Sequence, residues 1–153
     1  MIIDAKIYNI LIACPKDMID EIDIIKDVFL FYNKTTGYTN YVHLKLEYWN
    51  YDSHPKNPQD NSYDFAIVLL GTKFERGVEN FCEISKNVNI FFSDCPIAPS
   101  LIDVVQLWKV KEFEKEIKNN RDGFVETYAS LKEFEKKLRI FLYNYMKDTY
   151  KCK

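Results

Sequence analysis

Residues 8–18 read YNILIACPKDM, and this stretch decides the fold. Tyr8 to Cys14 is a short, nearly continuous apolar run that stops at Pro15. A run of that length with both faces apolar is the pattern of a strand buried on both sides. Asp17 stands where a helix opens and is read as its N-cap. From Met18 the apolar positions fall at 18, 22, 25, 29 and 32, which is helical spacing. Asp20, Glu21 and Asp23 occupy the first turn and a half, where the helix dipole favours anions. This helix ends before Gly37.

The same strand-then-helix unit recurs along the chain. Val42 to Trp49 (VHLKLEYW) alternates, so it is a strand with one wetter face. Tyr51 to Tyr63 is polar, holds two prolines and reads as a loop. Asp64 to Leu70 (DFAIVLL), closed by Gly71, is a second buried strand, and Val78 to Lys86 a short helix. Val88 to Phe92 is a third buried strand, cut off by Pro96 and Pro99. Ile102 to Asn119 reads as a helix with Leu107, Val110, Phe113 and Ile117 inward. Phe124 to Tyr128 is a short strand after the Asp122–Gly123 turn. Ser130 opens the last helix, with Glu133 three residues on as a capping box. Its apolar stripe, at 131, 134, 138, 141, 142 and 145, is core packing. Buried strands alternating with helices predict a three-layer α/β domain over residues 1–153. Its five-stranded parallel sheet takes the flavodoxin-like or TIR-like order 2-1-3-4-5. In such sheets sites form beyond the carboxyl ends of the strands, near the switch point. That rule selects Ala13–Asp17, Trp49–Asp52, Leu70–Phe74 and Ser93–Cys95.

Composition narrows the function. The chain has 153 residues, enough for one domain with its own core, and only four glycines. The net charge is −2, against the basic surplus that general nucleic-acid binding needs. Residues 1–105 carry nine Lys/Arg against fifteen Asp/Glu, and residues 106–153 carry twelve against eight. Two C-terminal helices with solvated basic faces account for that split; the other reading is a docking surface for an acidic partner. Cys14, Cys82, Cys95 and Cys152 have no CxxC spacing and lie far in sequence from His43 and His54, so no metal site is expected. Free thiols and no leader-like or membrane-spanning run point to a cytoplasmic protein.

The chemistries hosted by such sheets can be tested in turn. A receiver domain needs acids after its first strand and an Asp ending its third, where Cys14 and Gly71 stand. A flavodoxin phosphate loop needs hydroxyls and Gly, but the chain has Cys14-Pro15-Lys16-Asp17. A low-mass phosphatase needs an Arg six residues after Cys14, and position 20 is Asp. Cys14 and Cys95 both precede proline at strand ends, as buried small residues or as a redox pair. Carboxylate chemistry remains. Glu79 and Glu83 sit four apart on the helix after the Gly71 strand, with Glu75 before it. A carboxylate at a helix N-terminus stays ionised and can attack or stabilise an anomeric carbon as a glycosidic bond breaks. Tyr41, Tyr48, Tyr51 and Tyr63 are core or surface rings, with base stacking as their alternative use.

In order along the chain, several boxes resemble a prokaryotic family: the TIR-like N-terminal domain of uncharacterised function, related to TIR domains and nucleoside deoxyribosyltransferases. Its apolar strand followed by Ser-Pro-Gly-Asp-Val resembles Ile10–Met18, and its Leu-Glu-x-x-Trp strand with a following proline resembles Leu46–Pro55. Its Pro-Gln-Asp box is Pro58-Gln59-Asp60, and its strand ending in Gly-Thr is Phe65–Thr72. Its Tyr-Phe-Ser strand and Gln-Leu-x-x-Val-x-x-Phe helix resemble Phe91–Ser93 and Gln106–Phe113, and its Tyr, Ser-Leu, Phe ending resembles Tyr128–Phe134. The resemblance implies a site to which Pro15, Asp17, Trp49, Gln59, Asp60, Gly71 and Thr72 match, with Cys14, Asn50 and Asn80 at its remaining positions and Glu79 or Glu83 as the catalytic carboxylate.

The chain also departs from that pattern. The family's Glu-Arg after the Asp loop is Glu21-Ile22, and the acid after Trp is Asn50. The expected catalytic Glu falls on Asn80, with Glu79 one position early, a rotation of about 100° on a helix. The resemblance implies cleavage of the N-glycosidic bond of NAD or a related nucleotide in bacterial or phage defence or signalling, with no cofactor. The alternative is a catalytically silent module that binds a nucleotide signal, as sensor or decoy, or mediates assembly. The expected partners are a nucleotide, a second copy of the chain or a protein of a defence system, and neither a membrane nor nucleic acid in general.

Overall fold

The computed structural model describes residues 4–52, 63–84, 87–120 and 124–151. Its elements run β1 (Lys6–Cys14), α1 (Ile19–Lys34), α2 (Thr36–Thr39), β2 (Val42–Asn50), β3 (Phe65–Leu70), α3 (Arg76–Ile84), β4 (Val88–Ser93), a 3₁₀ turn (Pro99–Leu101), α4 (Val104–Asn120), β5 (Val125–Tyr128) and α5 (Leu131–Lys151). All four strand pairings are parallel, in the order β2-β1-β3-β4-β5. This is the predicted three-layer, flavodoxin-like α/β sheet.

Strand alternation explains the two helical layers. Phe65, Ile67 and Leu69 of β3 share one buried cluster with Ile25, Phe29 and Tyr32 of α1 and Phe134, Leu138 and Leu142 of α5. The intervening Ala66, Val68 and Leu70 share another with Val78 and Phe81 of α3 and Val110 and Phe113 of α4. With both faces covered, a central strand has no polar side to offer, and β3 is buried at every residue. In the first cluster Phe91 meets Phe134 and Phe141 edge-on, with centroids 5.4 and 6.1 Å apart.

Several local details differ from the sequence reading. Asp17 does not cap α1: Met18 holds the N-cap position and no side chain caps it. The Asp17 carboxylate is drawn instead to Lys73, 3.2 Å away. Lys6 and Ile7 extend β1 because β2 supplies partners as far back as Val42. The Asn33 carboxamide accepts from Leu44 N–H (2.8 Å) and donates to its carbonyl (3.0 Å), as a neighbouring strand would, and so closes part of the outer edge of β2. The Ser130 half of the capping box on α5 forms, with Ser130 Oγ accepting from Glu133 N–H at 3.1 Å, while the Glu133 carboxylate reaches one residue further back, to Ala129 N–H at 3.4 Å. The predicted loop over 53–62, the Asp122–Gly123 turn and Lys86 lie outside the described residues. Among the described residues no helix is long and apolar enough to cross a membrane.

Candidate functional site

The carboxyl ends of β1, β3 and β4 converge on a cleft of about 220 Å³. The segment after β1 contributes Pro15, Asp17 and Met18, and the segment after β3 contributes Gly71, Thr72 and Lys73. Ser93 and Cys95 come from the end of β4, and Ile97 and Leu101 form an apolar rim. Gly71 keeps one wall low: a Cβ there would stand 3.8 Å from the Met18 methyl group and 4.0 Å from Ser93 Cβ.

Two polar arrangements define the cleft. The first is Glu21, in the first turn of α1. It lines the cleft, is only 8% exposed, and accepts a hydrogen bond from the Tyr128 hydroxyl at 2.9 Å. The Ser93 side chain hydrogen-bonds the same hydroxyl. Burial, and then the Glu21 charge, push the Tyr128 phenol far above its ordinary range, so it is a fixed donor. The second arrangement is Lys73, whose ammonium lies 3.2 Å from Asp17 and 3.5 Å from Asp52. Asp52 also accepts from Lys16 N–H at 3.0 Å. Partial burial works against the Lys73 charge, but Asp17 and then Asp52 outweigh it and hold its pKa above the usual lysine value. The loops after β1, β2 and β3 are thereby tied together. With Asp17, Glu21 and Asp52 against Lys73, the surroundings of the cleft are acidic.

The predicted site residues divide into three groups. Pro15, Asp17, Gly71 and Thr72 line the cleft. Cys14, Trp49 and Asn50 lie in or against the core. Trp49 meets Tyr51 and Phe81 edge-on, at 6.1 and 5.5 Å. Tyr51 is fully buried and donates to Leu69 O at 2.8 Å. Cys14 Sγ lies 3.8 Å from Asn50 Oδ1. Burial first, then the charges of Asp52, Glu21 and Asp17, push the Cys14 thiol up to about 12. A thiol so placed is a poor nucleophile and a poor redox partner at neutral pH.

The third group lies elsewhere. Glu79 lines a groove between α3 and α4, while Asn80 and Glu83 are exposed on α3; none of the three lines the cleft. Gln59 and Asp60 lie outside the described residues. Glu21 is a cleft side chain that the sequence reading did not single out, and Lys73 was reached only as part of the selected segment Leu70–Phe74. The signal for Glu21 was present, because it stands four residues before Ile25 and seven before Val28, on the inward stripe of α1. Among the described residues no group of three or more His, Cys, Asp or Glu is placed to hold a metal ion. Comparison with protein-family models, with curated proteins and with solved structures found no match to this chain.

Proposed function

We propose that this cleft takes the ribosyl part of NAD or a related nucleotide and that the chain cleaves its N-glycosidic bond, with Glu21 as the carboxylate facing the anomeric carbon. The observation that carries this is a carboxylate, nearly buried, in the first turn of a helix and open to the cleft at the sheet's switch point. The Tyr128 hydroxyl donates to it and fixes its orientation at the N-terminal turn of α1. As the C1′–N bond breaks, the electron pair leaves with the base and positive charge develops on the sugar. Glu21 stabilises that charge or captures it as an ester, and water completes the hydrolysis. Thr72 and Ser93 offer hydroxyls to the ribose. At about 220 Å³ the cleft is smaller than the roughly 300–1,000 Å³ of sites that enclose drug-sized ligands, so the rest of the nucleotide lies outside it. The resemblance to TIR-like domains adds the defence or signalling setting.

A second reading is binding without cleavage. It is favoured by Asn80 standing where the resemblance expects the catalytic Glu, and by Glu79 and Glu83 lying away from the cleft. One experiment separates the two. The full chain is incubated with NAD and with purine and pyrimidine nucleosides, free base is measured, and thermal midpoints are recorded with the same compounds. Base release abolished by Glu21→Gln supports the enzyme. A raised midpoint without release supports the silent module. Neither effect with any compound refutes both readings.

A further inference from the structure

Opposite the α1–α5 layer, α4 carries an apolar stripe that no described element covers. Leu101 (74% exposed), Val104 (75%), Val105 (62%) and Trp108 (62%) follow one another at i, i+3, i+4 and i+7. On α4 that spacing puts Val104, Val105 and Trp108 on one side of its first turns, with Leu101 before them at the end of the 3₁₀ turn. The inward face is separate and is made by Val110, Phe113 and Ile117. Trp108 also walls a groove of about 570 Å³ between α3 and α4. Its floor is the Phe74–Phe113 pair, with centroids 5.4 Å apart, held by Phe74 N–H donating to Gln106 at 2.9 Å.

The groove has an unusual charge pattern. Glu75, Glu79, Glu112 and Glu116 line it, with Lys109 as the single cation among the lining residues. Glu75 and Glu79 stand one turn apart, as do Glu112 and Glu116, a like-charge arrangement that destabilises a free helix. No ion pair of the four is formed with any cation whose side chain the structure describes. On another side of α4, by contrast, Glu114 is paired with both Lys111 and Lys118. A predominantly acidic groove continuous with an exposed apolar stripe breaks two local rules at one place, as interaction sites do.

We propose that this surface docks a basic amphipathic helix of a partner protein. Its Lys and Arg side chains would meet the four glutamates and its apolar side chains would cover Leu101, Val104 and Trp108. The sign of the groove selects this occupant, because nucleic acid and anionic membranes are repelled by it. From Val104 to Glu116 the surface runs about 18 Å, room for three turns of a docked helix. An arginine at the tryptophan end would gain a cation–π contact as well. The proposal does not rest on the chemistry of the cleft, although Leu101 borders both surfaces.

The test is a fluorescence-polarisation titration of the full chain with a labelled helical peptide of about 18 residues, Lys and Leu at amphipathic spacing. Companion peptides carry the same residues scrambled, or Glu for Lys. The amphipathic basic peptide binds, shifts the Trp108 emission to the blue and weakens with salt. Scrambling weakens it about tenfold or more, and the acidic peptide does not bind. Glu112→Lys with Glu116→Lys weakens binding about tenfold or more, while Asp23→Lys with Asp27→Lys, the same charge change on exposed sites of α1, leaves it within about threefold. No binding of the basic peptide overturns the proposal, as does equal binding by the groove variant or by the scrambled peptide. Self-association in sedimentation that vanishes in Val104→Asp also overturns it, by assigning the face to a second copy.

Discussion

Replacing Tyr128 with Phe removes one oxygen and tests how the cleft is held together. Tyr128 is fully buried and its ring packs on Phe134 at a centroid distance of 4.6 Å, contacts that Phe keeps. What is lost is the hydrogen bond to Ser93 and the one to Glu21, a charged acceptor with little access to water. Hydrogen bonds to charged groups contribute about 1.5–3 kcal/mol, and an acceptor left buried retains its desolvation cost. Tyr128→Phe is therefore expected to destabilise the chain by about 2 kcal/mol, which at this size lowers the melting midpoint by roughly 4–8 °C. Urea unfolding followed by circular dichroism should show a lower midpoint with the slope unchanged. Glu21→Met completes a double-mutant cycle. It leaves the Tyr128 hydroxyl with Ser93 alone and removes the buried charge, so the double variant should be more stable than the two single losses predict, by about 1 kcal/mol or more. A Tyr128→Phe protein within about 0.5 kcal/mol of the parent, or strictly additive single variants, refutes the coupling.

Three further outcomes follow from the same coordinates. Cys14 is held near 12 in the folded chain against 9.0 for a free thiol, so the stability it contributes is complete below pH 9 and is lost as pH rises from 9 toward 12. Urea midpoints should fall across that range, and Cys14→Ala should keep only the part that begins near pH 10, where Tyr51 and Tyr128 take over. Gly37→Ala should destabilise by about 1–3 kcal/mol, because a Cβ there would lie 2.6 Å from the Val42 carbonyl oxygen, which belongs to a strand and cannot yield cheaply. Gly71→Ala should melt within about 2 °C of the parent, because its Cβ would meet nothing closer than 3.8 Å.

Where a residue's partners lie close in sequence, or where burial alone decides, the chain could be read directly. The runs at Tyr8–Cys14, Asp64–Leu70 and Val88–Phe92 announced strands with two covered faces, and the strand order follows from joining them through helices. The capping box at Ser130 and Glu133 was equally visible, since its parts stand three residues apart. The site was harder, because it joins residues distant in sequence. Nothing in Gly71-Thr72-Lys73 says that the lysine spans to Asp17 and Asp52, and that ion pair is what drew Asp17 from its expected capping role. Tyr128 and Glu21 are 107 residues apart and meet only when β5 pairs with β4. Trp49 looked like a ligand contact because it ends a strand, but its ring turns to the α3 side and packs on Phe81. Glu79 was read from spacing as a carboxylate near the sheet's tip. Its helix is anchored by Val78, Phe81 and Cys82, which leaves Glu79 facing α4.

The central claim is that ligand chemistry belongs to the cleft at the ends of β1, β3 and β4. Titrating isotope-labelled protein with nicotinamide riboside and with adenosine, and following the backbone amides by NMR, tests it most directly. The account predicts shifts concentrated at Lys16–Met18, Gly71–Lys73 and Ser93–Cys95, and lost in Glu21→Gln. Shifts confined to the α3–α4 groove, or none at saturating ligand, would contradict it.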